Sequence, residues 1–321
     1  FHMSLVSTWF DILKCSPKIA FWNLMTSFYS NQKLRNNLTF YFVERKHKAV
    51  LDYLRSNNTE IITKYKSFNM NSKKTDMRRV WILWWQGYDQ APELVKNCIA
   101  SANKYFKDNK IVVISKDNYQ DFISIDKVII KKFESGMISH AQLSDIFRLN
   151  LLSQYGGIWA DSTLMFTNEI PDYVSNLFFT LNTGYDEKSY YVTKGRWTGF
   201  FMSSDFVHFP FFDFADEIIQ NYWKRNNKLI DYFLIDYIIE LAYEEFTWFK
   251  DIINAIPVSC SHIFSLVDHL SDIATDDNIG DICSSNNWVY KLNHRITPLE
   301  RIGDNQTIYG KLVEDCYQFR I

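Results

Sequence analysis

Apolar positions divide the chain into stretches of different character. Between residues 4 and 66, Leu5, Trp9, Phe10 and Leu13, then Val43, Val50, Leu51 and Leu54, recur at the spacing of one helix face. The same stretch holds no glycine and a single proline, so nothing interrupts helices there. The pattern predicts a helical N-terminal region over residues 4–68. Residues 69–79 are polar, with Ser72, Lys73 and Lys74, and read as a linker. Beyond them the pattern changes. Val80-Trp81-Ile82-Leu83-Trp84 is a buried-strand run that stops at Gln86-Gly87, a helix is predicted from Pro92 to Phe106, and Ile111 to Ile114 is a second strand.

That β-α-β alternation predicts an α/β fold with a parallel sheet and a ligand at the carboxyl ends of its strands, near Trp84 to Gly87 and Ser115-Lys116. A further helix is expected from Ser139 to Gln154. Tyr155-Gly156-Gly157 stops it, because glycine accepts the left-handed backbone of a helix C-terminus at low cost. Ile158-Trp159-Ala160 then makes a short strand with Asp161 at its end. Helices are expected again over 211–228, 230–245 and 247–254. The main domain is read as residues 78–321.

Composition narrows the classes. Hydrophobic residues are 47% and charged residues 22% of the 321-residue chain, which fits a globular protein with a sizeable core. A formal charge of -2 gives no electrostatic reason to expect a nucleic-acid partner. Aromatics reach 17%, read mainly as core packing and secondarily as stacking surface in a cleft. The five cysteines, Cys15, Cys98, Cys260, Cys283 and Cys316, are scattered and form no C-x-x-C pair, so neither a disulfide scaffold nor a zinc site is expected. Phe1-His2-Met3 reads as a cloning remnant before a natural start at Met3. No apolar run approaches the roughly 18 residues that span a bilayer, and the expected location is cytoplasmic. The N-terminal helices have two readings. Lys33, Arg35, Arg45, Lys46 and Lys48 flank Phe40, Tyr41 and Phe42, as a lid or a contact with the inner membrane face would need. Helices packed on the main domain are the favoured alternative.

Candidate chemistry concentrates between residues 139 and 163. Asp145 and Arg148 stand three apart on a predicted helix and project from one face as a pair. Asp161, at a strand end, is placed to reach a cation or ligand hydroxyls. Ser144-Asp145-Ile146-Phe147-Arg148 followed by Gly156-Gly157-Ile158-Trp159-Ala160-Asp161 resembles the donor-site core of the capsular polysaccharide synthesis glycosyltransferases, relatives of glycosyltransferase family 32 and the clostridial glucosylating toxins. Val80 to Gly87 is similar to that family's first strand, and Val289-Tyr290-Lys291-Leu292-Asn293-His294 to its C-terminal motif. The likeness spans roughly residues 78 to 300.

The resemblance implies a retaining GT-A enzyme that uses a UDP-sugar, UDP-glucose or UDP-galactose, with Mn2+ or Mg2+. The implied acceptor is a lipid-diphosphate-linked oligosaccharide. Carried onto this chain, Asp145, Arg148 and Asp161 are the catalytic set. Leu83, Trp84, Trp85, Gln86, Ser144, Ala160, Ser162 and Lys291 complete the nucleotide-sugar site, with Trp84 bordering the base. Asp161 is the first carboxylate of a D-x-D motif whose second position is Thr163, a neutral hydroxyl that ligates a hard cation poorly. His294 is the candidate third metal ligand. Alternatively Lys291, His294 and Arg295 neutralise the diphosphate directly, or form only a solvated basic turn before Pro298. Asp231 and Asp236 are the acceptor-side candidates, with Trp197 to Ser204 and His208-Phe209-Pro210; being five apart, the two acids share no helical face well. No general base is assigned. A toxin-like protein glycosyltransferase and a degenerate carbohydrate-binding protein are the competing functions. A dinucleotide-binding dehydrogenase is not supported, because no G-x-G-x-x-G follows the first strand.

Overall fold

The computed structural model describes residues 12–13, 15–30, 37–67, 72–75, 78–284 and 287–314. Leu5, Trp9, Phe10, Lys33, Arg35 and Cys316 lie outside the described residues. The N-terminal stretch forms helices α1 (Pro17–Ser30), α2 (Asn37–Asn57) and α3 (Thr59–Tyr65). Strand β1 (Lys73–Lys74) precedes β2 (Arg79–Leu83), and α4 (Glu93–Tyr105) leads into β3 (Lys110–Ile114). Helices α5 (Lys127–Glu134) and α6 (His140–Tyr155) come before β4 (Gly157–Ala160), β5 (Leu164–Phe166) and β6 (Phe179–Thr180). After β7 (Phe201–Ser204) and β8 (Phe206–Val207) run α7 (Pro210–Arg225), α8 (Leu234–Glu245) and α9 (Thr247–Ala255). Short helices α10 (Ser265–Asp268) and α11 (Asp276–Ser284) lead to β9 (Val289–Lys291).

The central sheet has five strands in the order β3-β2-β4-β7-β6. β3, β2 and β4 are parallel, while β7 is antiparallel to β4 and to β6. A mixed sheet therefore replaces the purely parallel one that β-α-β alternation suggests. The segment before β7 brings the chain back against β4 without a helical crossover, and that permits antiparallel pairing. A second, two-stranded sheet pairs β5 with β9 antiparallel in the register Leu164↔Lys291, Met165↔Tyr290 and Phe166↔Val289. Both residues of β1 pair with β8, so part of the expected linker is a sheet edge.

Helices cover the sheet because their apolar stripes need a surface to bury against. α6 packs on α7, and β2 and β4 both contact α6. The N-terminal helices join the same core: Ile19, Val50, Leu54 and Ile62 are buried in one cluster with Val80, Trp81 and Trp159. α2 lies on α8 and α3 on α7. Polar contacts fix the α2 docking, since Arg55 reaches Glu244 at 2.7 Å and Glu245 at 2.6 Å, and His47 Nδ1 meets the Tyr237 hydroxyl at 2.7 Å. Helix α8 begins later than the pattern suggests, at Leu234 rather than 230. Asp231 causes this: its carboxylate accepts from the Phe233 N–H at 3.0 Å and holds the chain in a turn.

The passage from α6 to β4 depends on two glycines. Gly156 has φ 62° and Gly157 φ 89°, a region open to glycine at little cost. A Cβ on Gly157 would stand 2.5 Å from the Arg79 carbonyl oxygen, inside the β2 to β4 contact. Gly157→Ala is accordingly expected to destabilise the fold by at least about 2 kcal/mol, from backbone strain and displacement of β4. Chemical denaturation measures this, and a midpoint equal to the parent's would contradict the account.

Candidate functional site

Parallel strands leave backbone groups and loop side chains exposed at their carboxyl ends, which makes that edge the natural place for a ligand. β2 ends at Leu83, and the next residues turn back sharply. Gly87 N–H donates to the Trp84 carbonyl at 2.9 Å, and Lys116 N–H to the Trp85 carbonyl at 2.9 Å. This turn sets the two tryptophans at the edge of a cleft of about 830 Å³. Trp84 meets His294 edge to face at 5.2 Å, and its indole N–H is buried with no hydrogen-bond partner among the described residues. Trp85 packs instead into an aromatic group with Phe133 at 4.9 Å and Tyr119 at 5.4 Å. The floor comes from α6, whose start is fixed by a reciprocal capping box between Ser139 and Gln142.

Asp161 lies where β4 ends, and the Leu164 N–H donates to its carbonyl at 3.0 Å to close an Asp161-Ser162-Thr163 turn. Its carboxylate is heavily engaged. Oδ1 accepts from Arg148 Nη2 at 2.9 Å and from Trp159 Nε1 at 2.9 Å, while Oδ2 accepts from Lys291 Nζ at 2.8 Å. Lys291 Nζ also donates to Thr163 Oγ1 at 2.8 Å. The β5 to β9 register places Lys291 there, and the Leu292 N–H locks the strand to the Thr163 carbonyl at 2.8 Å. Burial alone would raise the Asp161 pKa, but the charges of Lys291 and Arg148 outweigh it and hold the carboxyl below its ordinary range.

Arg148 is almost wholly buried behind this wall. Its guanidinium sits 5.0 Å from the Trp159 ring and reaches Asp145 Oδ1 at 3.2 Å as well as Asp161. Asp145 is pushed up to about 6, by burial first, with Arg148 opposing and the Asp161 charge adding. Asp236 is pushed up to about 7 by burial and by the Asp145 charge, against Arg148. Asp145, Arg148, Asp161 and Asp236 thus form one electrostatically coupled group. Only Asp161 of the four lines the cleft. Arg148 reaches Asp161 directly, and Asp145 is joined to it through Arg148.

The remaining candidates separate clearly. Leu83, Trp84, Trp85, Gln86, Ser144, Ser162, Thr163, Lys291 and His294 all line the cleft with Asp161. Ala160 is fully buried in β4, where it pairs with Phe201, and does not line the cleft. Asp231 is elsewhere: its side chain pairs with Lys46 at 2.9 Å, tying the loop before α8 to α2. Its neighbour Tyr232 faces the cleft instead, as do His140, Phe264, Asn293 and Arg295. Asn293 belongs to the quoted C-terminal motif and His140 opens the helix that carries Ser144; Phe264 carries no sequence signal and arrives through the tertiary fold.

The expected metal set of Asp161, Thr163 and His294 shares one wall. As arranged, however, an ammonium already bridges the first two, and the arrangement does not suit a divalent cation. Burial, with the charges of Arg295 and Lys291, lowers the His294 pKa and favours its neutral form. Among the described residues no group of three or more His, Cys, Asp or Glu side chains is disposed to hold a metal ion.

Residues 29–312 match the family described as capsular polysaccharide synthesis protein, and the chain belongs to that family. No curated protein matches it.

The raised Asp236 pKa makes stability depend on pH. The folded state keeps a proton that an unfolded aspartate releases near its ordinary value of 3.8, so this contribution is lost as pH rises from there to about 7. Asp236→Asn removes the titration. Its stability relative to the parent is expected to grow by up to about 1.4 kcal/mol per pH unit between pH 5 and 7, then level off. Melting temperatures across that range measure it, and parallel curves for the two proteins would contradict the assignment.

Proposed function

We propose that this member of the capsular polysaccharide synthesis family is a retaining glycosyltransferase with a GT-A type donor site. It transfers a hexose, glucose or galactose, from a UDP-sugar to a lipid-diphosphate-linked oligosaccharide. The observation that carries this reading is the meeting of Asp161, Thr163 and Lys291 with Trp84 and His294 in one cleft at the carboxyl ends of parallel strands.

A UDP-sugar presents a flat base, two sets of hydroxyls and a diphosphate, and the cleft offers a counterpart to each. Trp84 supplies aromatic surface for the base. Ser144, Asp161 and Ser162 supply acceptors and donors for ribose and sugar hydroxyls. Lys291 and Arg295 supply positive charge on the same wall. The volume falls within the roughly 300–1,000 Å³ of ordinary ligand pockets. As the bond between the sugar and the diphosphate breaks, negative charge grows on the leaving oxygen. Fixed cations aimed there lower the barrier, because they need not reorganise as the charge appears. In this reading the departing phosphate takes the proton from the acceptor hydroxyl.

Tyr232 and Phe264 are 66% and 52% exposed and line the same cleft, a suitable stacking surface for an acceptor sugar. Phe21 and Leu24 on α1, with Leu38 and Tyr41 on α2, are exposed apolar side chains, and Arg45 stands 5.0 Å from the Tyr41 ring. They support a peripheral contact with a lipid surface that carries the acceptor. Among the described residues no helix is long and apolar enough to cross a membrane.

A thermal-shift and UDP-release screen against UDP-glucose, UDP-galactose, their N-acetyl forms and a GDP-sugar tests the donor. One UDP-hexose is expected to raise the melting temperature and release UDP, and the GDP-sugar to do neither. Asp161→Asn should lower turnover by about a hundredfold or more. Absence of a shift with every nucleotide sugar would contradict the proposal.

A further inference from the structure

We propose that the Lys291 ammonium takes the place of a divalent cation in this cleft, so that the chain binds the diphosphate of its nucleotide ligand without a metal. The inference rests on the donor-site reading above and specifies how that site holds charge. Lys291 Nζ lies 2.8 Å from Asp161 Oδ2 and 2.8 Å from Thr163 Oγ1, bridging the two side chains between which a D-x-D motif would bind its cation. An ammonium carries three N–H donors. Two are used on Asp161 and Thr163, which leaves the third for a ligand oxygen in the cleft that Lys291 lines.

Several features of the chain agree with a built-in cation. Thr163 is a hydroxyl, which accepts from an ammonium readily and ligates a hard divalent ion weakly. Asp161 already faces Arg148 on one oxygen and Lys291 on the other, so a single carboxylate is flanked by two positive groups. A divalent ion arriving at that carboxylate would meet the Lys291 ammonium at close range, with Arg148, shared with Asp145, behind it and a neutral hydroxyl rather than a second carboxylate at position 163. The lysine is also held in place. Its backbone N–H donates to the Ile263 carbonyl at 2.8 Å, its strand register is fixed against Leu164, and its ammonium stands 5.2 Å from the Phe200 ring. Such an ammonium is an oriented charge rather than a solvated surface lysine.

Calorimetric titration of the full chain with UDP, in EDTA and then in excess Mn2+, tests this directly. UDP is expected to bind in EDTA with an affinity within about threefold of that in Mn2+. Lys291→Met keeps the apolar stem and should weaken UDP binding in EDTA by at least about tenfold, while Lys291→Arg retains most of it. Uridine, which lacks the diphosphate, should bind parent and Lys291→Met alike, and melting temperatures confirm that each variant folds. In the double variant with Lys291→Met and Thr163→Asp, UDP binding should become dependent on Mn2+. Binding that needs Mn2+ in the parent, or is unchanged in EDTA by Lys291→Met, overturns the lysine assignment and leaves the donor-site reading standing. Failure of UDP to bind in either medium overturns both.

Discussion

The Asp161 carboxylate accepts hydrogen bonds from three donors, and they come from three elements of the fold. Arg148 belongs to α6, Trp159 to β4 and Lys291 to β9. One side chain therefore joins the helix behind the central sheet, the sheet itself and the small β5–β9 sheet that forms the other wall of the cleft. Ion pairs of this kind add little net stability, because desolvation offsets the Coulomb gain. Removing one partner is much more damaging, since it strands a buried charge at a cost of about 3–5 kcal/mol. The network ties α6, β4 and β9 to one another around Asp161 at the wall of the cleft.

The same cluster concentrates cost at the site. Asp145 and Asp236 are held near the buried Arg148 and have pKa values pushed up to about 6 and about 7, so near neutral pH the fold carries carboxyls that would ionise more easily in water. Asp216, outside the cleft, is likewise raised to about 6 by burial despite bonds from Asn150 and Gln220. What distinguishes the cleft group is coupling, because Asp145, Asp161 and Asp236 all respond to one guanidinium. A tertiary core rich in aromatic residues, including the fully buried Trp81, Trp159, Trp197 and Trp223, supports this arrangement.

Much of the central sheet was legible in the pattern of apolar residues. The strands around Trp81, Val112 and Trp159, the helix stopped by Gly156 and the strand-end position of Asp161 all follow from local periodicity and backbone preference. The antiparallel β7, the two-residue β1 and the pairing of β5 with β9 were not, because such short strands carry no periodic signal of their own. The candidate site shows the same division. Trp84, Asp161 and Lys291 were identifiable as motif residues, but the contact between Asp161 and Lys291, 130 residues apart, depends on the β9 register. The spacing of Asp145 and Arg148 pointed to their pairing, which the structure shows at 3.2 Å, but not to the contact of Arg148 with Asp161. Asp231 was drawn away by Lys46, a partner from the N-terminal helices that no local pattern points to, and Tyr232 beside it faces the cleft.

The most direct measurement is a crystal structure of the full chain grown with UDP and Mn2+, with anomalous scattering recorded to locate manganese. UDP is expected in the cleft beside Trp84, with a phosphate oxygen within hydrogen-bond distance of Lys291 Nζ and no manganese peak at Asp161. Manganese bound between Asp161 and the diphosphate, with the Lys291 ammonium displaced, would contradict that expectation, as would UDP bound away from this cleft.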